Sequence, residues 1–461
     1  MTEYKDDVQF TASVADLVRP AYHGLSVRVP GRVTLLEKQN AGYVRGCLRD
    51  AGKNLQFEAP ASLFETIEVL DLVVLSGQVF NQGPSVVLDV KEVELLTRTA
   101  AKYRSTASWG SAPLAEHRAF PEYEFIFDTD RAKRLQRRLQ LMQATRHFLD
   151  SRGFLEVDTP FLVPWPDIAP VEPVRVSPGR HVRQGDLRIA NTEFMRRLLV
   201  AGFDRIYQLG RCFRDEEPSW KHEIEFTQLT FGIAYATYEV LMSLIEELVC
   251  HLLSLMGCQN EVSYNGKLID FNRPWRRITV QETLKQTTGI DILACPDRDS
   301  LEKAIRDAGL EVPKVHDGYG GLLAQARVLD VLIDKYVIPT FEGPTWLYEY
   351  PFYLGGPAKE IIGRPEVKMR AELFVEKLEI ANISVPQNDP KKVRAWYEEM
   401  RRLKVEKGWD TPYLDEHYLH SMEVGIPVAT TGGLGFDRLA MVLLDAVDIR
   451  DVMLFLTGAQ Y

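Results

Sequence analysis

FDRIYQLGRCFRDEEPSWKHEIEFTQLTF, residues 203–231, holds two strand-like runs, RIYQLGRCF and IEFTQLTF, on either side of a polar connection. Such runs around a turn-rich segment predict paired strands, and the connection between them then presents Arg214, Glu216 and His222. Arg214 supplies a fixed guanidinium fork suited to gripping a phosphate and a carboxylate together.

Two other stretches extend this reading. In TTGGLGFDRLAMVLL, residues 430–444, glycines precede Asp437, Arg438 and an apolar helix. Backbone without Cβ atoms can approach a ligand closely, and Arg438 emerges where it can reach one. No GK[ST] follows and no dinucleotide fingerprint is present, so the stretch is neither a Walker loop nor a Rossmann turn. FLDSRGFLEVDTPFL, residues 148–162, reads as a helix ending at Gly153 and an extended segment reaching Pro160.

Further strands are expected at AELFVEKLEIAN, and helices at YEVLMSLIEELVCHLLSLM, DSLEKAIRDAG, LLAQARVLDVLIDKYV and KKVRAWYEEMRRLKVE. The order lacks a steady βαβα alternation, which predicts an α+β fold over residues 129–461: an antiparallel sheet with surrounding helices. Its first helix is capped by Asp130 and runs to Ser151, with Leu135, Leu139, Met142, His147 and Phe148 near helical spacing. Upstream, five alternating runs between Leu25 and Leu96 predict a small OB-fold-like β-barrel domain within residues 1–100. Residues 101–128 show no sustained period and read as a linker.

The chain has 461 residues, 45% hydrophobic and 26% charged, a composition that suits a globular protein rather than a disordered one. No run of ~20 apolar residues occurs, and MTEYKDDVQF lacks a signal-peptide layout; a cytoplasmic protein without a membrane partner is expected. The five cysteines form no CxxC pair. They are expected to be reduced thiols, not a disulfide framework or a zinc site. The net charge of −10 leaves any RNA contact to local basic patches.

The three motifs, in this order and at these separations, resemble the signature motifs of class II aminoacyl-tRNA synthetases. LRIANTEFMRRLLVAGFDRIYQLGRCFRDEE, AYATYEVL, ELFVEKLEIAN, the NDP at Asn388–Pro390 and IRDVMLF resemble the lysine enzymes of subclass IIb, and the similarity spans roughly residues 25–458. The resemblance implies ATP and Mg2+. It places Arg214 on the α-phosphate and substrate carboxylate, Arg438 on the γ-phosphate, Glu216 near adenine, His222 near the outer phosphates and Phe226 stacked on adenine. It also implies an anticodon-binding barrel and a homodimer joined around Pro160. Glu372 and Glu379 match the family's magnesium ligands. If Glu376 and Lys377 form a two-residue turn, Glu379 faces Phe374 and Glu372 lies diagonally on the same face, about 7–8 Å away. Two such carboxylates repel unless a cation intervenes. Glycines are common at this turn in the family, so a looser hairpin is expected here.

The amino-acid pocket departs from the pattern. The family has glutamates at the positions of Thr192, Thr230 and Pro386, a tyrosine at Gly232 and an aromatic at Ser384; Asn382 completes the expected substrate-binding set. A buried ammonium without its carboxylate costs several kcal/mol, enough to abolish selectivity. Lysine is therefore not the expected substrate. Glu193, read as a strand neighbour of Thr192, should point to the opposite face, and Asp167 and Glu172 are other groups that could meet an amine. Met195 stands where the aspartate enzymes have a lysine. The expectation is an ATP-dependent ligase that forms an acyl-adenylate, with a small amine as acceptor; tRNA as acceptor and a non-catalytic RNA- or partner-binding role are the alternatives.

Overall fold

The computed structural model describes residues 11–456 except 18–21, 40–41, 51, 83–84, 100–124, 127, 165–170, 178, 181–184, 315–320 and 407–414. The expected linker lies almost wholly outside the described residues, as does Asp167. The chain divides into two compact units, one ending at Arg134 and one running Leu135–Gly458.

In the first unit, β1 (Ser26–Lys38), β2 (Tyr43–Asp50), β3 (Lys53–Pro60), β4 (Leu72–Gln82) and β5 (Ser85–Thr97) close into a barrel in the order β1-β2-β3-β5-β4. Strand alternation sends Val27, Val29, Val33, Leu48, Leu55, Phe57, Val73, Leu75 and Leu88 inward to one apolar cluster. A bulge between Ser76 and Gly77 bends β4. Gly77 is required there, because a Cβ would sit 2.1 Å from the Asp89 carbonyl oxygen. The five expected strands are all present, and the barrel is OB-fold-like.

The second unit is built on a nine-stranded sheet. Its main strands are β6 (Leu155–Glu156), β7 (Arg205–Phe213), β8 (Glu225–Ala234), β9 (Arg276–Thr279), β10 (Thr345–Pro351), β11 (Arg364–Val375), β12 (Leu378–Ser384) and β13 (Ala429–Gly435), in the order β9-β10-β11-β12-β13-β8-β7-β6. The inner pairs are antiparallel, and the edge pairs β6–β7 and β9–β10 are parallel. Helices α1 (Thr129–Asp150), α2 (Thr192–Val200) and α3 (Tyr238–Leu255) precede β9 or intersperse the early strands. An inserted group, α4 (Val280–Thr288), α5 (Arg298–Asp307) and α6 (Gly321–Leu332), separates β9 from β10; α7 (Pro390–Glu406), α8 (Glu416–Val424) and α9 (Phe436–Leu443) follow β12. Capping boxes start α4 at Thr279/Glu282 and α5 at Asp297/Ser300, and Gly289 ends α4 with a φ of 77°.

One sheet face is sealed by apolar residues of α3 and α9, including Leu241, Ile245, Leu248, Leu439 and Met441, packed on Trp346, Leu373, Ile380 and Leu434. The other face carries the cavity described below. Thr192 and Glu193, read from sequence as strand neighbours, instead open the helix α2, in which Met195 and Leu199 recur at i and i+4 and are both buried. The strand argument for Glu193 therefore fails, since neighbours on a helix diverge by about 100° rather than pointing to opposite faces.

A buried ion pair ties the layers together. Asp437 at the start of α9 accepts hydrogen bonds from Arg138 Nη2 of α1 at 2.6 Å and from the Thr227 backbone N–H of β8 at 2.6 Å, while Arg138 Nη2 also donates to Thr227 Oγ1 at 2.9 Å. The two side chains are only 4% and 2% exposed. Removing one partner strands the other charge in the core. Asp437→Asn is expected to cost about 3–5 kcal/mol, read as a lower denaturant midpoint; an unchanged midpoint would contradict this role.

Candidate active site

β7 and β8 pair in register from Arg205–Ile233 to Phe213–Glu225. The connection between them closes on itself through Ser219 N–H to His222 O at 2.9 Å and Ser219 Oγ to His222 Nδ1 at 2.9 Å. Arg214, at the mouth of β7, bonds its N–H to the Ile224 carbonyl at 2.8 Å. Its guanidinium carbon lies 5.2 Å from the Phe226 ring centroid, so ring and cation form one platform. Burial, then the positive charge of Arg438, holds the His222 pKa below its ordinary value and favours the neutral imidazole.

Arg438 projects from the first turn of α9. Its Nη1 donates to the Glu379 carbonyl at 3.0 Å, with the Glu379 carboxylate 3.5 Å away, and its Nε reaches the Lys221 carbonyl at 3.3 Å. The glycines before it serve the sheet first. A Cβ on Gly433 would sit 1.7 Å from Gln228 Nε2, and one on Gly432 would sit 2.5 Å from Ile383 Cα.

The β11–β12 hairpin turns tightly, against the expectation of a looser connection. Glu376 and Lys377 take φ values of 45° and 70°, which a type I′ turn demands of both central residues, and Lys267 Nζ holds Glu376 at 2.6 Å. Phe374 pairs with Glu379 as expected, while a bulge makes Leu373 pair with Ala381. That extra residue lets Glu379, Asn382 and Ser384 serve one face despite their odd spacing. Glu372 pairs across from Asn382. It accepts from Tyr350 OH at 2.6 Å, Asn382 Nδ2 at 2.8 Å and Arg370. Burial, and then the Glu379 carboxylate, push the Glu372 carboxyl above the usual carboxylate range against the pull of Arg370.

One cavity of about 470 Å³ gathers Arg214, Glu216, His222, Phe226, Glu379, Arg438, Thr192, Asn382 and Ser384. The remaining expected residues fall outside its wall. Glu372 lies behind Arg370 and Asn382, its three bonds drawing it into the sheet. Thr230 is 1% exposed, paired in register with Gly433. Gly232 sits under α2, where a Cβ would meet Ile206 and Leu199, and Pro386 is buried and paired with Ala358 in an isolated bridge. Glu172 is exposed.

A model of class II tRNA synthetases (D, K and N) matches residues 122–457. The chain belongs to this family. It is 32% identical over 445 residues to a lysine-tRNA ligase of Clostridium perfringens, covering 94% of this chain and 87% of that one. A lysine-tRNA ligase of Carboxydothermus hydrogenoformans is 31% identical over 395 residues, 85% of this chain and 79% of the relative. One from Fervidobacterium nodosum is 31% identical over 440 residues, 94% and 82%. As a class II synthetase the protein is a ligase, and no helix among the described residues is long and apolar enough to cross a membrane.

The synthetase site also contains residues that motif reading passed over. Arg370 and Lys221 line the cavity with Arg196, Trp396 and Thr431. Arg370 was accessible to strand alternation, being two residues before Glu372 on the same face. Asp330 and Asp334 come from the helical insertion; burial raises both pKa values, with Glu379 contributing. The donor set suits a polyanion with a divalent cation: several cations face the cavity, and the Glu379 carboxylate raises the cost of charging Glu372.

The Glu372 shift fixes a sign. The folded chain holds this proton to a higher pH than the unfolded chain, whose carboxyl titrates near 4.5. Its contribution to stability is full below that value and is lost as pH rises toward neutral. Glu372→Gln is expected to flatten this part of the melting-temperature profile; parallel wild-type and variant profiles would contradict it.

Proposed function

We propose that this synthetase joins ATP to the carboxylate of an amino acid other than lysine, giving an aminoacyl adenylate and pyrophosphate, and then passes the aminoacyl group to a tRNA hydroxyl. The observation that carries the first step is the convergence of Arg214 and Arg438, from different elements, on one cavity. As the carboxylate attacks the α-phosphorus, charge grows on the phosphoryl oxygens and the departing pyrophosphate. Arg214 bridges the two reacting groups, and Arg438 with the neutral His222 meets the outer phosphates. Phe226 stacks on adenine and Glu216 binds near its edge. Positioning and charge neutralisation suffice, without a protein nucleophile. Glu372 and Glu379 would hold Mg2+, which supplies charge neutralisation at the phosphates.

The curated relatives favour tRNA as acceptor over the small amine expected from residues alone, and the OB-fold-like barrel supports the same choice. The substrate is taken to differ from lysine because Thr192, on the cavity wall, stands where a glutamate is expected, while Thr230 and Pro386 lie off that wall. A homodimer is supported by Leu155, Phe161 and Leu162, large apolar side chains exposed around Pro160.

ATP–pyrophosphate exchange by the whole chain without tRNA, across the standard amino acids, tests the reading. Exchange with a non-lysine acid is expected, falling about 10²-fold or more in Arg214→Ala. Charging of a tRNA pool should follow, with filter binding that weakens steeply as salt rises. Silence with every acid would refute activation, and exchange without charging would refute the acceptor. Gel filtration should show twice the 52.5 kDa chain mass; a monomer would refute the dimer.

A further inference from the structure

The cavity has two chemically different ends. Register places Phe226, Gly435 and Glu379 toward one end of strands β8, β13 and β12, and Gly232, Thr431 and Ser384 toward the other. Ser384 lies five positions after Glu379 on β12, about 16 Å at the rise of a strand. The far end takes Thr192 and Arg196 from α2 and Trp396 from α7 beside Ser384 and Thr431 of the sheet, and α2 and α7 share with α8 the apolar cluster of Leu199, Val393, Tyr397, Tyr418 and Met422.

The polar groups at this far end include Arg196. On α2, Thr192 and Arg196 are four residues apart and face the same way, and both line the cavity. The Arg196 side chain belongs to a residue 7% exposed, and its Nη1 donates to Tyr418 OH at 3.1 Å. Thr431 also lines the cavity; it is 1% exposed, and its hydroxyl has no hydrogen-bond partner. An unsatisfied buried hydroxyl costs free energy until a ligand atom meets it. The lining carboxylates are Glu216, Glu223, Glu379 and Asp437, all on the motif loop, the hairpin or the start of α9. Glu193 turns instead to an adjoining cavity of about 150 Å³ and accepts from Tyr397 OH.

We propose that Arg196 and Thr431 determine specificity, selecting an amino acid whose side chain ends in an oxygen acceptor, a carboxylate or carboxamide. The guanidinium fork donates to that oxygen, Thr431 supplies a second bond, and Trp396 covers the stem. A lysine ammonium would instead meet a like charge, since among the described residues the carboxylates that line this cavity, Glu216, Glu223, Glu379 and Asp437, lie on the motif loop, the hairpin and the start of α9. This rests on the adenylate-forming reading above.

The test is pyrophosphate exchange by the full chain with aspartate, glutamate, asparagine, glutamine, lysine, ornithine, leucine and phenylalanine. An oxygen-ended acid is expected to exceed lysine in kcat/KM by about 10²-fold or more, the range available to a site that hydrogen-bonds its substrate. The acid and amide arms distinguish the two termini. Arg196→Gln and Thr431→Val should raise KM for that acid while KM for ATP stays constant; Thr431→Val carries the test if Arg196→Gln does not fold. Lysine, ornithine or an apolar acid as best substrate would overturn this inference and leave the ligase standing. Unchanged selectivity in both folded variants would also overturn it. Exchange with no acid would overturn the ligase reading and this inference with it.

Discussion

The pair between Arg138 and Asp437 is the constraint on which the site depends. Asp437 spends one carboxylate oxygen on the guanidinium of α1 and the other on the Thr227 amide of β8. The residue after it is Arg438, and the residue before Thr227 is Phe226. A single buried contact thus fixes the cation proposed for the phosphates and the ring proposed for adenine relative to each other. Desolvating two charges is expensive, and well-packed apolar residues could give comparable stability. What an apolar pair could not reproduce is the directed bond to the Thr227 amide, which sets the register between α9 and the sheet.

The carboxylate hairpin shows the opposite economy. Glu372 is drawn inward by Tyr350, Asn382 and Arg370, while Glu379 stays near Arg438 and the cavity. Burial and mutual repulsion work against having both charged. Such opposition makes sense where a cation belongs, because its arrival would turn two costs into two ligands. The tight Glu376–Lys377 turn and the neighbouring bulge keep the pair on one face without glycine. The positive φ values of non-glycine residues are the conformational cost of that placement.

The barrel strands, the main hairpin and most helices were legible because their signals are local: alternation, i to i+4 recurrence, and turn residues. The helix at 192–200 was not legible, and Thr192 and Glu193 read as strand neighbours, because its apolar pair is flanked by polar residues and nothing within nine residues reveals that α7 and α8 pack with it. The convergence of Arg214, His222, Phe226 and Arg438 was legible through motif spacing. The withdrawal of Thr230, Gly232 and Pro386 from the cavity wall was not. Matching positions tell which residues replaced others, but not that Gly232 would be covered by Leu199 and Ile206, or that Pro386 would pair with Ala358 and be buried. Those outcomes depend on packing between distant segments.

The two ends of the cavity are held by different kinds of structure. The nucleotide end sits on strands whose backbone bonds and buried ion pair leave little room for drift. The opposite end takes Thr192 and Arg196 from α2 and Trp396 from α7, helices that rest with α8 on a separate apolar cluster. Substitutions on those helices can change charge and shape there without disturbing β8 or α9, since effects separated by such distances are close to additive. This separation lets Thr192 on α2 depart from the family pattern while the arginines, histidine and carboxylates proposed for activation are kept. A cavity held by one core would have forced the two ends to change jointly or not at all.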